Sequence, residues 1–443
     1  MIAVRSKIFF LVSCVAEVML LLVAQVLGNT FLLLACLGLF LVLAAWSAIK
    51  GMAVPVILFF LPFAPLIKLR PGTISFFTIG LLVIYVIYIV MGSRNISIHH
   101  WVPGLCLISI ALVVKTLYGY SIDNSFLLFS ASVLLIPFLT RETDAEYDFY
   151  WLTVFFSLGI IIAAITAKYL TVFPTITRYI GTDYGGLGII RRSGYYGDPN
   201  FYSAHITAAL SGILVMLLNN NRSKRIAVIT VLSIALVYCG FLSVSKSFIL
   251  VAICLFFVWL VEFMFIKGRV SVKLMTILTF LVVTVFLLST TVFTDLIGMM
   301  LSRFSNTSNL SDFTTGRIDL WSKYLEALTD DPLLLLFGKG FTSVLIFDKA
   351  SHNTIIQVIY QFGLIGSGFL IAWIVCSVRI LLGKTKVYWS DLAQIFILLL
   401  GTFGPWMALD LLFFDEFFLM PVYVCVAIKF IEKRKTELAT RIE

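Results

Sequence analysis

The sequence predicts an all-α protein, a polytopic bundle of about 12–14 transmembrane helices in one membrane domain that covers residues 1–443. Three observations support this prediction. Of the 443 residues, 61% are hydrophobic and only 12% are charged, and the mean hydropathy is +1.06. Soluble domains contain roughly 45–50% apolar residues, so the composition excludes an ordinary soluble fold. Apolar runs of about 20 residues, the length that crosses a bilayer, recur along most of the chain.

The individual spans are predicted from these apolar runs. In chain order they are 7–26, 30–49, 52–67, 73–91, 101–117, 124–140, 149–170, 201–218, 226–243, 247–266, 274–295, 354–380, 390–408 and 412–430. The first run is long for a signal sequence and no small-residue cleavage site precedes the second, so we expect it to remain as a helix. The run 52–67 contains Pro55, Pro62 and Pro65, and we expect its helix to be broken. No counterpart of this break is visible in the other half of the sequence.

The seven cysteines all lie within predicted spans and show no CxxC spacing. Neither a disulfide framework nor a zinc site is therefore expected. The sequence also contains no Walker A motif, no dinucleotide glycine fingerprint and no HExxH. We expect no cofactor and no metal, and hence a metal-independent activity.

Basic residues in short loops predict the orientation of the chain. Lys and Arg are concentrated in 219–225, 267–273 and 433–435, and such loops stay in the cytoplasm. Both termini are then cytoplasmic, in a plasma membrane or a bacterial inner membrane, and two long hydrophilic loops, 171–200 and 296–350, are extracytoplasmic. The net charge of +9 follows from this topology and from contact with anionic membrane lipids, so it does not indicate binding to nucleic acid.

The loop 296–350 contains an amphipathic helix of its own. Its apolar stripe consists of Ile318, Trp321, Tyr324, Leu325 and Leu328. We expect Thr315 to cap the start of this helix and Pro332 to end it. With one apolar face, the helix is expected to lie along the membrane surface.

Six basic residues are predicted on the outer side, against the bias that places positive charge in the cytoplasm. They are Lys68, Arg70, Arg191, Arg192, Lys246 and Arg317. Guanidinium forks and ammonium groups suit phosphate oxygens, which indicates an anionic lipid-linked substrate whose diphosphate leaves with growing negative charge. For Lys68, Arg70 and Arg192, an interfacial side chain that reaches lipid headgroups is an equal alternative.

His352 is the best candidate for a general base. The sequence Ser351-His352-Asn353 begins the span 354–380, and a histidine is expected in its first helical turn. There the positive end of the helix disfavours imidazolium and leaves a neutral ring that can accept a proton. His99 and His100 fall in a cytoplasmic loop. His205 lies one turn inside a span, and a role in helix packing is favoured.

The acidic and amide residues beside these cations admit structural roles. Asp198-Pro199-Asn200 is typical of a turn and N-cap before a helix, while Asp198 could also bind a sugar hydroxyl or orient a base. Asp410, Asp415 and Glu416 lie between the last two spans on the outer side, where they could serve only as caps.

The order of these pieces resembles the O-antigen ligase and O-antigen polymerase (Wzy-type) family. The matching pieces, spread over about 185–370, are Arg191-x-Ser-Gly-x-x-x-Asp198-Pro199-Asn200, Ser243-x-Ser245-Lys246-Ser247, Gly316-Arg317 with Trp321, Gly338-x-Gly340, and His352-Asn353 followed by Gly363-x-x-Gly366. The resemblance implies a lipid-linked glycosyltransferase (GT-C-like) fold that passes a glycan from undecaprenyl diphosphate to an acceptor hydroxyl.

In that family resemblance, Arg191 and Arg317 correspond to diphosphate contacts and His352 to the group that activates the acceptor. Arg192, Asp198, Asn200 and Asn353, together with Lys68 and Arg70, are further substrate-binding candidates. The family usually has Arg where this chain has Lys246. Lysine keeps the positive charge but lacks the planar guanidinium that can bind two oxygens at once.

The function expected from this resemblance is polymerisation of lipid-linked repeat units into O-antigen, capsule or exopolysaccharide. An O-antigen ligase that transfers glycan to lipid A core is the alternative of the same chemistry, and a flippase for lipid-linked oligosaccharide is the alternative of another class. A chain-length regulator and a flippase are possible partners. We expect the two outer loops to fold together so that Arg191 and His352 share one cavity.

Overall fold

A computed structural model describes residues 4–70, 75–91, 98–136, 149–180, 191–219, 223–265, 294, 297–298, 301, 314, 316–343, 346 and 349–439. Within these ranges every regular element is an α-helix or a short 3-10 helix, and no strand occurs. The all-α prediction is therefore confirmed for the described residues.

The described helices follow the apolar runs closely. They are α1 (Val4–Leu27), α2 (Thr30–Ile49), α3 (Ala53–Phe60), α4 (Phe76–Val90), α5 (Val102–Leu117), α6 (Asn124–Leu135), α7 (Phe149–Leu170), α8 (Pro174–Thr177), α9 (Pro199–Asn219), α10 (Ser223–Leu242), α11 (Lys246–Phe265), α12 (Arg317–Asp330), α13 (Pro332–Phe337), α14 (Thr354–Leu382), α15 (Leu392–Phe403) and α16 (Glu416–Ala439). Short 3-10 helices extend α3 over Leu61–Leu66 and α15 over Gly404–Ala408.

Eight helices among the described residues are long and apolar enough to cross a membrane, and four shorter apolar helices accompany them. The polytopic class predicted from the sequence is thus supported, whereas the total of about 12–14 spans stays a prediction. The predicted span 274–295 lies outside the described residues apart from position 294. The last predicted span starts later than expected, because its helix begins at Glu416.

The prolines of 52–67 break the third span as predicted. The α-helix ends at Phe60 and continues as the 3-10 helix Leu61–Leu66, with Pro62 and Pro65 inside it. Every residue of α3 is buried.

The packing divides the chain into two units. The first comprises Met1–Phe156, Thr314–Lys386 and Trp406–Glu443, and the second comprises Ser157–Phe313 and Val387–Pro405. Of the predicted site residues, Lys68, Arg70, Arg317, His352 and Asn353 belong to the first unit, while Arg191, Arg192, Asp198, Asn200 and Lys246 belong to the second.

In the first unit, an aromatic cluster joins helices that are distant in sequence. The ring of Phe129 in α6 lies 4.4 Å from that of Phe341, 5.5 Å from that of Phe362 in α14 and 5.7 Å from that of Phe418 in α16, measured between centroids. Aromatic pairs at these separations add stability beyond their buried area. This cluster fixes α14, which carries the His352 segment at its start.

In the second unit, α9 forms the core. All of its residues from Tyr202 to Met216 are buried, and it packs on α10, α11 and α15. Close approach to α15 needs a glycine, since a Cβ on Gly401 would lie 2.7 Å from the carbonyl oxygen of Thr207. Helix interfaces in membranes favour such small residues.

Candidate functional site

The segment before α14 holds His352 in an unusual backbone conformation. Its φ is +50°, in the left-handed region that costs a residue with a Cβ roughly 1–2 kcal/mol. Asn353 then caps α14, because its Oδ1 accepts hydrogen bonds from the amides of Ile355 at 2.9 Å and Ile356 at 3.2 Å. His352 therefore lies just before the N-cap of a candidate membrane span, and not in the first helical turn as expected from the sequence, because its left-handed backbone precedes the start of the helix.

The carboxylate of Asp410 stabilises this conformation. It accepts hydrogen bonds from the amides of His352 at 2.7 Å and Asn353 at 3.4 Å, and a further one from the hydroxyl of Ser351. These charge-assisted bonds are stronger than neutral ones, and they offset the left-handed conformation. The sequence allowed Asp410 only a capping role, so its position beside His352 is new.

The imidazole of His352 is both accessible and close to this carboxylate. Its Nδ1 lies 3.8 Å from Oδ2 of Asp410, and the two side chains are 44% and 13% exposed. The distance is too long for a direct hydrogen bond, but the negative charge favours the proton on Nδ1. Nε2 is then the free acceptor that a general base requires.

The segment that carries Asp410 is hydrogen-bonded to side chains in the first turns of α14. The hydroxyl of Thr354 donates to the carbonyl of Leu409 at 2.6 Å and accepts from the amide of Leu411 at 3.2 Å. The amide of Leu412 donates to Oε1 of Gln357 at 3.1 Å. The placement of Asp410 therefore depends on polar side chains of α14 itself.

The predicted amphipathic helix is present as α12, and it also contacts the His352 segment. Trp321 donates its indole N–H to the carbonyl of Ser351 at 2.9 Å, and Tyr324 donates to the carbonyl of Lys349 at 2.6 Å. Burial raises the pKa of Tyr324 to about 12; a backbone hydrogen bond at Ile346 opposes this and the charge of Asp410 adds to it. Arg317 opens α12 four residues before Trp321, on the same face of the helix.

The predicted stripe of α12 faces two environments. Tyr324 and Leu328 pack against Ile356 and Tyr360 of α14, whereas Leu325 is 50% exposed. The helix ends before Pro332 as predicted. The predicted cap Thr315 lies outside the described residues.

Two glycines, Gly338 and Gly363, allow the backbones of α13 and α14 to come into contact. Gly338 has φ 72° and ψ −160°, and Gly363 has φ 64° and ψ −174°, a region open essentially only to glycine. A Cβ on Gly338 would lie 2.5 Å from the amide nitrogen of Gly363. The amides of Lys339 and Gly340 donate to the carbonyls of Tyr360 and Gln361 at 2.9 and 2.8 Å. Gly363 thus interrupts α14, which is the second broken span that the sequence did not reveal.

In the second unit, Arg191 is held against the turn between α10 and α11. It is only 6% exposed, and its Nε donates to the carbonyl of Ser243 at 3.3 Å. The amide of Arg192 donates to the carbonyl of Leu242 at 3.0 Å. Lys246 is the first residue of α11, where helix amides and the helix dipole favour an anion.

The Asp198-Pro199-Asn200 sequence forms the predicted turn. Oδ1 of Asp198 accepts from the amide of Asn200 at 2.7 Å, and α9 begins at Pro199. Oδ1 of Asn200 accepts from the hydroxyl of Ser245 at 2.9 Å, which joins this turn to the one that carries Lys246. A sugar-binding role for Asp198 stays a prediction.

His205 has the packing role favoured from the sequence. Its side chain is buried, and its ring packs edge-on against Tyr196 with centroids 5.0 Å apart.

Lys68 acts electrostatically on Asp415, which directly precedes α16. Asp415 accepts a hydrogen bond from the hydroxyl of Thr78 at 3.0 Å. Burial and the neighbouring Glu416 raise the pKa of Asp415 to about 7, against the opposing effects of Thr78 and Lys68. Arg70 is exposed, and substrate contact by either cation stays a prediction.

Lys115 is a buried cation that the sequence analysis did not single out. It is 2% exposed, donates to the carbonyl of Phe341 at 2.8 Å and lies 3.5 Å from Oδ1 of Asp123. Its position inside the apolar run 101–117 could have identified it from the sequence, because a charged residue within a span is costly and is retained for a specific contact.

A metal site does not emerge from the residues that the structure describes, where no three His, Cys, Asp or Glu side chains come together. No protein-family model matches the chain, and no curated protein matches it either. The described residues define a helical protein with multiple candidate membrane spans.

Proposed function

We propose that the protein is a metal-independent glycosyltransferase that polymerises undecaprenyl-diphosphate-linked oligosaccharide repeat units at the outer face of the cytoplasmic membrane. The observation that carries this proposal is the accessible imidazole of His352, which is set at the start of a span and backed by the Asp410 carboxylate. The motif resemblance supplies the substrate class.

In the proposed reaction, an acceptor sugar hydroxyl attacks the anomeric carbon of the lipid-linked donor. His352 takes the hydroxyl proton, a new glycosidic C–O bond forms, and the bond between the anomeric carbon and the diphosphate oxygen breaks with inversion. Undecaprenyl diphosphate leaves with the electron pair. Asp410 orients the ring and stabilises the imidazolium that forms.

The motif resemblance suggests Arg191, Arg317 and Lys246 as contacts of the departing diphosphate. A guanidinium can bind two phosphate oxygens at once, and the buried Arg191 is already oriented by its contact with Ser243. Lys246 combines its charge with the start of α11. Preorganised positive groups of this kind contribute about 100–1000-fold each to a rate in which charge develops on the leaving group.

The experiment is incubation of the purified full-length protein with an undecaprenyl-diphosphate repeat unit. Wild-type protein is expected to give a ladder of products. His352→Ala should abolish the ladder without lowering the amount of protein in membranes, whereas the control His99→Ala, an exposed histidine in another loop, should retain it. Near wild-type polymer from His352→Ala would exclude the proposed base.

The Asp410→Asn variant tests the positioning role separately. An amide retains one acceptor but loses the charge, so turnover should fall while the dependence of rate on donor concentration stays close to wild type. Arg317→Lys tests the fork, and a large loss is expected if both nitrogens contact phosphate. Lys246→Arg should be tolerated, since it preserves the charge.

A ligase shares this donor chemistry, and a single shifted acceptor in place of a ladder would identify it. A flippase is a second candidate of another class, because transporters use interrupted spans and both α3 and α14 are interrupted. Transfer of intact donor to the opposite leaflet of a proteoliposome, without any new glycosidic bond, would favour the flippase.

A further inference from the structure

The C-terminal end of α5 carries two tyrosine rings in a fixed arrangement. Tyr118 and Tyr120 lie with their planes 21° apart and their centroids 5.9 Å apart. This separation lies within the range of about 4.5–7 Å found for interacting aromatic rings. Tyr118 is 39% exposed, and Tyr120 is half-buried.

The backbone between these two rings forms a defined turn. Gly119 adopts φ 71° after the last turn of α5. The amide of Gly119 donates to the carbonyl of Thr116 at 3.0 Å, and the amide of Tyr120 donates to that of Lys115 at 2.9 Å. This is the pattern of a glycine-terminated helix end with a left-handed residue.

A charged residue from the α13–α14 connection completes the surface. Nζ of Lys339 lies 4.2 Å from the centroid of the Tyr118 ring, and its amide is bonded to the carbonyl of Tyr360. Gly340 next to it packs on the backbone of Lys115, where a Cβ would clash. The ammonium group of Lys339 thus lies over one face of the Tyr118 ring.

An acidic group lies within electrostatic reach of the same surface. Burial raises the pKa of Tyr118, and the charge of Asp331 and the neighbouring Tyr120 add to this. The surface itself combines apolar ring faces, two phenol hydroxyls and one cation. A pyranose ring has matching chemistry, with an apolar face of C–H groups and a rim of hydroxyls, and tyrosine offers an apolar body with a polar end.

Further tyrosines connect this surface with the His352 segment. Tyr360 lies within electrostatic reach of the hydroxyls of Tyr118 and Tyr120, and its ring contacts that of Tyr324 with centroids 5.3 Å apart. Tyr324 donates to the carbonyl of Lys349, three residues before His352. All of these residues belong to the first unit.

We infer that Tyr118, Tyr120 and Lys339 form a saccharide-binding platform for the acceptor glycan, in which a neutral sugar ring stacks on the tyrosine pair and its hydroxyls bond to the phenols and to Lys339. The inference rests on the proposed function for the identity of the glycan. An interfacial aromatic residue that only contacts lipid headgroups would not need the second ring or the ammonium group.

The test uses the purified full-length protein in nanodiscs and, as probe, the free oligosaccharide released by mild acid from the host's own lipid-linked repeat unit. Saturation-transfer NMR should show contact between protein and sugar C–H protons. Tyr118→Ala and Tyr120→Ala should each weaken binding about tenfold, which corresponds to about 1.4 kcal/mol. Tyr118→Phe retains the ring and should keep most of the binding, which controls for loss of the fold.

Tyr169→Ala is the matched control. Tyr169 is 67% exposed and has Nζ of Lys168 5.5 Å from its ring centroid, so it reproduces an exposed tyrosine with a lysine but without a stacked second ring. Its replacement should leave binding unchanged. Equal binding by wild type and Tyr118→Ala, or no transfer to the sugar in wild type, would overturn the platform.

His352→Ala separates this inference from the proposed function, because free oligosaccharide binding does not require the base. Binding retained in His352→Ala and lost in Tyr118→Ala supports the platform, even if His352→Ala still polymerises normally and the proposed function fails. A ladder that depends on His352 while Tyr118→Ala binds like wild type would reject the platform and leave the function standing.

Discussion

Replacing Gly363 by alanine is expected to destabilise the protein by several kcal/mol, because two separate penalties meet at this residue. The first is conformational. With φ 64° and ψ −174°, Gly363 occupies a region in which a residue with a Cβ incurs of order 1–3 kcal/mol.

The second penalty is steric. The new Cβ would lie closer than 3.0 Å to backbone atoms of Leu336 and Phe337, and backbone cannot rotate away as a side chain can. Separating α13 from α14 to relieve the clash would weaken the hydrogen bonds from Lys339 to Tyr360 and from Gly340 to Gln361, each worth about 1 kcal/mol. The two penalties together give about 3–5 kcal/mol.

Gly368→Ala is the control in the same helix. No heavy atom lies within 4 Å of a Cβ at Gly368, and its φ is not positive, so alanine should be neutral or stabilise the helix by up to about 1 kcal/mol. Unfolding of the purified full-length proteins, followed by circular dichroism against denaturant or temperature, compares the two. If Gly363→Ala unfolds like Gly368→Ala, the backbone contact between α13 and α14 does not exist as described.

Two further predictions concern buried charges. Lys115→Met should destabilise the protein by about 1–3 kcal/mol, since the carbonyl of Phe341 loses its buried donor; unchanged unfolding would show that this bond contributes nothing. Asp415 has a pKa raised to about 7, above the ordinary value near 4, so the native state binds more protons between about pH 4 and 7 and stability falls as pH rises through that window. Asp415→Asn should remove this pH dependence, so its melting temperature relative to that of wild type should increase from pH 5 to pH 8. A constant difference in melting temperature across that range would contradict the raised pKa.

The helical class and most helix positions could be predicted because hydropathy and proline position act locally. The apolar runs around 149–170 and 354–380 correspond to α7 and α14 almost residue for residue. The N-cap at Asn353 was also predictable in kind, since a polar residue before an apolar run satisfies the first helix amides.

The partner of His352 could not be predicted, because Asp410 lies 58 residues further along the chain and only the tertiary fold brings the two together. The break at Gly363 was missed for a related reason. A glycine inside an apolar run is compatible with a continuous helix, and its conformation here is set by the approach of Gly338. The predicted convergence of Arg191 and His352 stays a prediction.

The carboxylate of Asp410 lies closer to the main chain of His352 than to its ring, because Oδ2 is 2.7 Å from the amide nitrogen and 3.8 Å from Nδ1. Because the shorter contact is to the main-chain amide, replacing His352 by alanine leaves the hydrogen bond from residue 352 to Asp410 in place. Under the proposed function, a protein with alanine at position 352 therefore keeps the fold of this segment but lacks the base, and it competes with wild type for substrate. Co-expression of His352→Ala with wild type should then shorten the polymer in proportion to the share of the variant.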